Sequence, residues 1–464
     1  MTSDITDPDS RYPTIIEHIT LPTTNASIII HDGRFEIVSD NVSISCLGKF
    51  SFHWLPLVGV RFLGKPELLN KFSFEIFRKL EYFEVVINDN LAGKAFLTLV
   101  NFDNFGSITF EGVFAFETYT GDPSVKVNEI VFSIPNLRRL YGYPVQKKIG
   151  VIENRTSKSR LTFGDENYKF IIDSVYDYDK KLKGLENLGG FDILASGKLT
   201  CHKEPLNLSE SQSIFRLVNN FLSFINGRRI SGFMAQGLNK DEPLWTDYTS
   251  YLIEPFSLPQ TWCPSRIYLS IDQLWKNYKK VASDPHDEDF LFTAIHWYLN
   301  ANNNVGFTES SIIMAQTALE LIYNWWIVEK KGLLSGRDAS SISASNKIRL
   351  IVKNLGIETE VPLGLKCLNS YVSEQKRALD GPDVITEVRN MIVHSQIEKR
   401  MKLNKIDMST KYEILELCIW YIELALLNIL EYHGEYYNRT TKGATLKHGL
   451  QPVPWGVKPS KVSY

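Results

Sequence analysis

The sequence lacks a large excess of charge of either sign. Its 464 residues contain 51 Lys plus Arg against 53 Asp plus Glu, for a formal net charge of −2. A nucleic-acid partner would therefore have to be bound by a local basic patch rather than by the whole surface. The composition, 44% hydrophobic and 22% charged, is ordinary for a globular protein and excludes a disordered, collagen-like or coiled-coil chain.

Patterns typical of metal and nucleotide sites are also missing. The five cysteines are scattered without a Cys-x-x-Cys pair, which argues against a disulfide framework or a structural zinc site. None of the nine histidines has a second ligand at a familiar spacing. The chain also contains no phosphate-binding P-loop, dinucleotide glycine fingerprint, His-Glu-x-x-His or Gly-x-Ser-x-Gly motif. We expect no metal and no cofactor.

Long hydrophobic segments are absent as well. Residues 1–22 are polar and acidic, unlike the basic and apolar regions of a signal peptide. The longest apolar stretch, Leu417–Leu430, is interrupted by Glu423 and is shorter than the ~20 residues of a membrane span. We therefore expect a soluble, cytoplasmic protein that does not contact a membrane.

Hydrophobic patterning predicts an α+β protein of several domains. Residues 1–200 contain short runs rich in Val, Ile, Phe and Thr, which predict a β-rich domain of sandwich or barrel type. Residues 201–285 are mixed and are predicted to be a connecting segment. Residues 286–438 carry helical apolar stripes and predict an antiparallel helical bundle. Residues 439–464 are predicted to be a basic, flexible tail.

Individual elements follow from the same patterns. The predicted strands are Ser27–Val38 with a turn at His31–Gly33, Tyr82–Ile87, Ala95–Val100, Ile108–Phe116, Ile130–Ile134, Arg160–Phe163, Tyr168–Ile172 and Phe191–Leu194. The predicted helices are Ser211–Asn226, Phe290–Ala301, a long one from Thr308 through Trp326, Ser345–Leu355, Val384 to about Ile397, and Tyr412–Tyr432.

One polar constellation, formed by Arg389, Asn390 and His394, lies on the predicted helix that begins near Val384. On a continuous helix, Asn390 and His394 lie one turn apart opposite the buried stripe, and Arg389 lies at the edge of that face. A neutral His can take a proton from a ribose 2′-hydroxyl, and an Arg can bind the phosphate. These residues could thus cleave RNA without a metal. Spacing alone favours the other interpretation, a surface pair that stabilises the bundle.

The helical region resembles a HEPN domain of the Apea-like branch. The resemblance covers roughly residues 286–435. It rests on the segments Ile295–Asn300, Met314–Glu320 with Tyr323–Trp326, Lys347–Arg349, and Arg389-Asn390-x-x-x-His394. The preceding β-rich region is similar, in general architecture, to the N-terminal domain of ApeA-type prokaryotic anti-phage proteins.

The resemblance implies a helical bundle that dimerises, or forms a higher oligomer, around the Arg-x4-His motif and acts as a metal-independent endoribonuclease. Arg389 and His394 would then be catalytic, and Asn390 would orient them or the phosphate. Glu320 would be a weaker candidate for supporting this pair. The implied role is anti-phage defence, with the β-rich domain as a sensor or regulatory part that a phage-derived trigger could bind.

RNA also has to be held near the site. Two groups of basic residues are candidates for contacts with RNA phosphates: Lys399, Arg400, Lys402 and Lys405 just after His394, and Lys347 with Arg349 on an earlier helix.

Two other functions stay open. The first is a catalytically silent HEPN protein that binds RNA or serves as a dimerisation scaffold. The second is a carbohydrate- or peptide-binding β protein with an incidental helical tail, which would leave the Arg389–His394 surface unexplained.

Overall fold

The computed structural model describes residues 12–39, 42–68, 82–102, 107–149, 153–258, 260–303, 308–394, 396–441 and 449–456. The chain divides into two compact units. The first consists of Met1–Asn219 and Ile230–Ser257, and the second of Asn220–Arg229 and Leu258–Tyr464. The first unit is β-rich and contains a barrel, whereas the second is helical, which confirms the α+β prediction at that level.

Among the described residues, the first unit contains thirteen antiparallel strands and one complete helix. The strands are β1 (Ile28–Ser39), β2 (Val42–His53), β3 (Gly59–Pro66), β4 (Phe83–Ile87), β5 (Asn90–Phe102), β6 (Ile108–Gly121), β7 (Glu129–Pro135), β8 (Tyr143–Ile149), β9 (Glu153–Gly164), β10 (Tyr168–Ser174), β11 (Ile193–Cys201), β12 (Phe233–Asn239) and β13 (Glu242–Asp247). Helix α1 spans Tyr178–Leu188. Helix α2 (Leu208–Asn226) contributes residues to both units.

The thirteen strands form one sheet in the order β3-β2-β1-β4-β5-β6-β13-β12-β7-β11-β10-β9-β8, and β3 also pairs with β6. This second pairing closes the first six strands into a barrel, so that these strands satisfy one another's backbone hydrogen bonds. The predicted turn at His31–Gly33 is wrong, because β1 runs through these residues with an irregularity between Ile29 and His31.

The interior of the barrel is a packed hydrophobic core. Its buried residues are Phe35, Ile37, Ile44, Cys46, Phe50, Phe62, Phe83, Val85, Ile87, Ala92, Ala95, Ile108 and Phe110. Small residues make room for the rings: a Cβ on Gly64 would lie 3.0 Å from both Phe35 Cζ and Phe110 Cζ. Large and small side chains thus alternate inside the barrel, as the interiors of small barrels require.

The second unit is built from helices. They are α3 (Ile271–Val281), α4 (Pro285–Asn303), α5 (Thr308–Ile322), α6 (Gly336–Ser341), α7 (Ala344–Asn354), α8 (Lys366–Ser373), α9 (Gly381–Val393), α10 (Ile397–Leu403) and α11 (Met408–Ile429). A 3₁₀ turn, Ile267–Leu269, precedes α3, and α5 continues as a π-helical segment, Tyr323–Lys330. Two short strands, β14 (Glu435–Tyr437) and β15 (Leu450–Pro452), pair with each other.

Helix α11 lies at the centre of this unit. Every residue from Ile414 to Leu427 is buried, and the helix packs against α4, α5, α8 and α9. The buried stretch includes Glu416 and Glu423, whose carboxylates both accept from the Arg439 guanidinium. Within the described ranges, no helix combines the length and the apolar run needed to cross a bilayer.

The domain boundaries differ from those predicted. Residues 201–285 are not a separate connecting segment, because β12 and β13 complete the large sheet while α3 belongs to the helical unit. The cause is long-range strand pairing, which local periodicity does not reveal. The predicted flexible tail is also wrong in part: Arg439 is buried, and Leu450–Pro452 pairs with Glu435–Tyr437. Residues 442–448 and 457–464 of that prediction lie outside the described residues.

Candidate functional site

Helix α9 carries the Arg389–Asn390–His394 constellation. Its first residue follows Asp380, whose side chain accepts from the Asp383 backbone N–H at 2.9 Å and caps the helix. A buried stripe fixes the orientation of the helix against α5, α7 and α11. This stripe contains Val384, Ile385, Val388 and Met391. Of the predicted stripe, Ile385, Val388 and Met391 are buried and Ile392 is half-buried. Arg389 and Asn390 lie off this stripe and are partly exposed.

The end of α9 differs from the prediction. The helix stops at Val393 rather than near Ile397, and His394 is its C-cap with φ −92° and ψ 46°. Val393 and Ile397 are exposed, so neither of these side chains gains the core packing that would stabilise a longer helix. The exposed His394 therefore lies just beyond the helix, where its backbone N–H donates to Asn390 O at 3.1 Å.

Arg389 has hydrogen-bonding capacity to spare. Its Nη1 donates to Asn390 Oδ1 at 3.2 Å. Its Nε is shielded from solvent and has no hydrogen-bond partner among the described residues. A buried donor without an acceptor is costly, and such groups call for an explanation such as a ligand that is bound during function.

Glu320 and Lys347 are placed together. Lys347 Nζ lies 3.7 Å from Glu320 Oε1 and 5.4 Å from the centroid of the Tyr323 ring. The structure thus assigns the Glu320 carboxylate a lysine partner on α7. Since the ammonium of Lys347 is itself largely covered, its charge is already countered within the chain.

Arg349 is paired in a similar way. Its Nε and Nη2 bind the two carboxylate oxygens of Asp380 at 2.9 and 2.8 Å, and Nη2 lies 3.2 Å from Asp383 Oδ2. This bidentate contact links α7 to the start of α9. Arg349 therefore helps to hold the helix that carries Arg389.

The remaining basic candidates lie on and just after α10. Arg400, Lys402 and Lys405 are exposed and Lys399 is half-buried. Lys402 pairs with Glu398 one turn earlier at 2.9 Å. Exposed apolar side chains lie in the same stretch: Val393 is 44%, Ile397 70% and Met401 61% exposed. We call the stretch from Val393 to Lys405, without Ser395, the α10 surface; Ser395 lies outside the described residues.

A second polar cluster was not predicted as a site. On α4, His296 and Asn300 lie one turn apart, and Arg229 from the end of the α2 segment reaches both of them. The sequence signal available was the i,i+4 spacing of His296 and Asn300. Arg229 is 67 positions from His296 in the chain, so only the fold could bring it there.

No group of three or more His, Cys, Asp or Glu side chains within the described ranges is arranged to hold a metal ion. The donor groups of the candidate site are a guanidinium, an amide and an imidazole. Such a set suits an anionic substrate.

Comparison with known proteins finds two domain profiles. The profile of the YopA central domain matches residues 122–259, and that of the YopA C-terminal domain matches residues 284–448. No solved structure matches this chain. A curated protein, "SPbeta prophage-derived uncharacterized protein YopA" from Bacillus subtilis (strain 168), is 26% identical over 437 residues, or 93% of this chain and 95% of that protein. The chain is therefore similar to YopA along nearly its whole length.

Proposed function

We propose that this protein is a metal-independent endoribonuclease whose catalytic residues are Arg389, Asn390 and His394. One observation carries the proposal: an exposed imidazole follows directly after a helix that presents a guanidinium with a shielded, unpartnered Nε. The imidazole is accessible to a substrate, and the partly exposed guanidinium supplies the positive charge that a phosphate requires. The resemblance to HEPN domains stays a prediction and agrees with this assignment.

The proposed reaction is an internal transesterification. Neutral His394 removes the proton of the ribose 2′-hydroxyl, and the 2′-oxygen attacks the adjacent phosphorus. The O2′–P bond forms while the P–O5′ bond breaks, and an imidazolium returns a proton to the leaving 5′-oxygen. The products are a 2′,3′-cyclic phosphate and a 5′-hydroxyl. Arg389 stabilises the charge on the non-bridging oxygens, and Asn390 holds its guanidinium. DNA lacks the nucleophile and is not cut.

A second copy of the chain completes the site in this proposal. One imidazole is poorly placed to serve both the attacking and the leaving oxygen of an in-line displacement. A two-fold axis would supply two histidines and two arginines to one cleft. The exposed Val393, Ile397 and Met401 support such a contact, because apolar side chains beside a polar site favour burial against a partner. Replacing Met401 with Asp should weaken this contact, and a measurement of the oligomeric state tests it.

RNA phosphates would be bound by the α10 surface. Arg400 and Lys405 are exposed, and Lys399 is half-buried nearby. Lys402 is shared with Glu398, and Lys347 and Arg349 are engaged with carboxylates inside the chain. We therefore expect substitutions at Lys399 and Lys405 to lower RNA affinity more than substitutions at Lys402, Lys347 or Arg349.

We further propose that the ribonuclease acts in the cytoplasm against phage, and that the β-rich unit responds to a phage-derived trigger. The similarity to a protein that is named as prophage-derived is compatible with this role, because a prophage gains from excluding competing phage. This role is tested by measuring phage infection of cells that express either the wild-type protein or the His394→Ala variant. Protection by the wild type alone is the expected result.

Cleavage by purified full-length protein in EDTA tests the enzymatic proposal. We expect wild-type protein to yield fragments ending in 2′,3′-cyclic phosphate. Arg389→Ala and His394→Ala should each lower the rate by about 100-fold or more. His286→Ala is the matched control, since His286 is an exposed histidine on α4. This variant should cleave RNA like the wild type.

The outcomes separate the two candidate functions. If wild type and His394→Ala cleave RNA equally, His394 is not the acid or base and the assignment fails. If neither cleaves, but both bind RNA or dimerise, the protein is the silent scaffold that the sequence leaves open. Thermal unfolding of each variant shows whether any loss of cleavage reflects a loss of folding.

A further inference from the structure

A cavity of about 370 Å³ opens in the helical unit, where the ends of α3, α11 and the π-helical segment meet the start of α4. Its apolar lining comes from Val281, Trp325, Trp326 and Ile429. The volume lies in the range of roughly 300–1,000 Å³ that is typical of small-molecule sites. The cavity shares no residue with the site at Arg389 and His394, so a ligand here would be additional to the RNA substrate.

The π-helical segment builds one wall of this cavity. On an α-helix, residues five positions apart would face directions about 140° apart, whereas the i→i+5 hydrogen bonds of a π-helix bring them to the same side. Lys331 N–H makes such a bond to Trp326 O at 3.1 Å, and its Nζ lies 4.9 Å from the centroid of the Trp326 ring. Lys330 Nζ lies 5.3 Å from that of the Trp325 ring. The wall thus pairs two rings with two ammonium groups, in a helical geometry that is frequent at functional sites.

Two lysines at the rim of the cavity are paired with carboxylates. Lys280 Nζ lies 3.1 Å from Glu431 Oε1. Lys330 Nζ lies 2.6 Å from Asp287 Oδ2. Both lysines are exposed, and exposed ion pairs are weak because water screens the charges. The two pairs therefore add no net charge to the rim, but their ammonium groups stay accessible to a ligand.

Lys331 is the cation of the rim that has no counter-charge. Its Nζ donates to Asn354 Oδ1 at 2.9 Å and lies over the Trp326 ring, and both of these partners are neutral. Among the described residues, Lys331 forms no ion pair with a carboxylate. Three ammonium groups thus accompany two carboxylates at the rim, which leaves one positive charge unbalanced.

The lining and the charge together define a class of ligand. Apolar walls that include two tryptophan rings suit a flat aromatic body, whereas a body with many polar groups would lose its hydration there. One unbalanced ammonium group suits a single negative charge, such as that of a carboxylate or a phosphodiester. A phosphate monoester, which carries a charge of about −1.5 to −2 near neutral pH, would be repelled more strongly by the two rim carboxylates.

We propose that this cavity binds a small aromatic molecule with one negative charge, and that the anionic group of the ligand contacts Lys331. An aromatic carboxylate and a cyclic mononucleotide share this chemistry, so the test has to distinguish the two. The site adds a small-molecule ligand to the protein and does not depend on the proposed ribonuclease activity.

Binding is measured by fluorescence on the full-length protein with a matched pair of dyes. Anilinonaphthalene sulfonate is an aromatic monoanion, and N-phenylnaphthylamine has the same ring system without the charge. Lys331→Gln should weaken binding of the sulfonate by about tenfold, the loss expected for one charge-assisted contact, and should leave the affinity for the neutral dye within about twofold. Added salt should likewise weaken binding of the anionic dye alone.

Two further variants separate the cavity from the rest of the surface. Asn428→Trp places a ring against the cavity from the end of α11 and should weaken binding of both dyes. Lys276→Gln, at an exposed lysine of α3 outside the lining, is the matched control and should change neither affinity by more than about twofold. Circular dichroism of each variant confirms that the fold is retained.

Competition identifies the source of the ligand. Displacement of the sulfonate dye by indoleacetate assigns an aromatic carboxylate, and displacement by 2′,3′-cyclic AMP assigns a cyclic mononucleotide. The proposal is overturned if neither compound displaces the dye, because the dye is then an adventitious ligand.

The charge dependence can overturn the proposal as well. It fails if the Lys331→Gln variant binds the anionic dye like the wild type. It also fails if this variant loses as much affinity for the neutral dye as for the sulfonate, because Lys331 would then shape the cavity rather than bind an anion. RNA cleavage is measured separately, so the loss of either proposal leaves the other standing.

Discussion

Arg439 Nη2 donates to Glu423 Oε1 over 2.6 Å, and both side chains are buried in the helical unit. Arg439 Nε binds the other oxygen of Glu423 at 3.0 Å, and Nη1 binds Glu416 Oε1 at 3.0 Å. Tyr298 Oη donates to Glu423 as well, at 3.0 Å. Burial raises the pKa of Glu423, and the guanidinium opposes this effect. One arginine thus compensates two carboxylates in the core.

Replacing Arg439 with Ala should therefore lower the free energy of unfolding of the helical unit. The substitution leaves Glu416 and Glu423 buried without their cation, and breaking a buried ion pair from one side costs about 3–5 kcal/mol. Urea denaturation followed by circular dichroism measures the change. Lys280→Ala is the control, because Lys280 and Glu431 form an exposed pair whose loss should leave the transition in place. Equal stability of the two variants would show that the buried network is not needed.

Stability should fall as the pH is lowered below the ordinary pKa of histidine. Burial lowers the pKa of His18 in the folded protein, although its bond to Met234 O acts in the opposite direction. The unfolded chain then binds a proton more readily than the folded chain, so protonation favours unfolding. The contribution of neutral His18 to the free energy of unfolding is fully present above the ordinary histidine pKa. It is lost as the pH falls through the pKa that His18 has in the folded protein.

Urea unfolding of wild type and His18→Gln at pH 7.5 and 5.5 checks this dependence. The variant should show a smaller loss of stability at the lower pH. The loss should not vanish, because the pKa values of His53 and His296 are also lowered by burial. An identical pH dependence in both proteins would rule out a contribution from His18.

Gly48→Ala should disrupt the barrel. A Cβ at this position would lie 2.1 Å from Leu63 O, a backbone atom of the paired strand β3, so the strands would have to separate. We expect a destabilisation of about 2 kcal/mol or more, as for other overpacked sites. Lys49→Ala on the same strand is the control. Limited proteolysis and thermal unfolding should show the damage in the glycine variant alone.

Arg229→Gln should raise the pKa of His296 towards its ordinary value. Burial is the main cause of the lowered pKa, and the nearby guanidinium of Arg229 adds to it. Removing the positive charge makes protonation of the imidazole easier, while the effect of burial persists. The recovery should therefore be partial. An NMR titration of the His296 ring protons measures it, and an unchanged midpoint would mean that Arg229 does not act on the ring electrostatically.

The sequence predicted the elements whose signal is local. Strands β4, β7 and β10 and helices α4, α7 and α11 lie where the apolar periodicity placed them. Strands β2 and β3 were not predicted, because inward positions hold Gly48 and Gly64, which interrupt an apolar pattern. The glycines are needed because aromatic rings from other strands occupy the space that their side chains would fill.

The candidate site was predictable to a similar degree. The positions of Arg389 and Asn390 on a helix followed from its buried stripe, whereas the end of the helix before His394 depended on missing core contacts. The sequence also showed Glu423 inside an apolar run. It could not identify Arg439 as the partner, because that residue lies after the helix in a segment rich in Pro and Gly.

The division of the chain into two units limits where its gene can recombine and where the protein can be cut into fragments. Residues 220–229 belong to the helical unit, while residues 230–257 return to the β-rich one. The polypeptide passes between the units three times, so no single cut yields two intact halves. Gene fusion or recombination at one point would therefore leave part of one unit behind, and the two parts are expected to be inherited together.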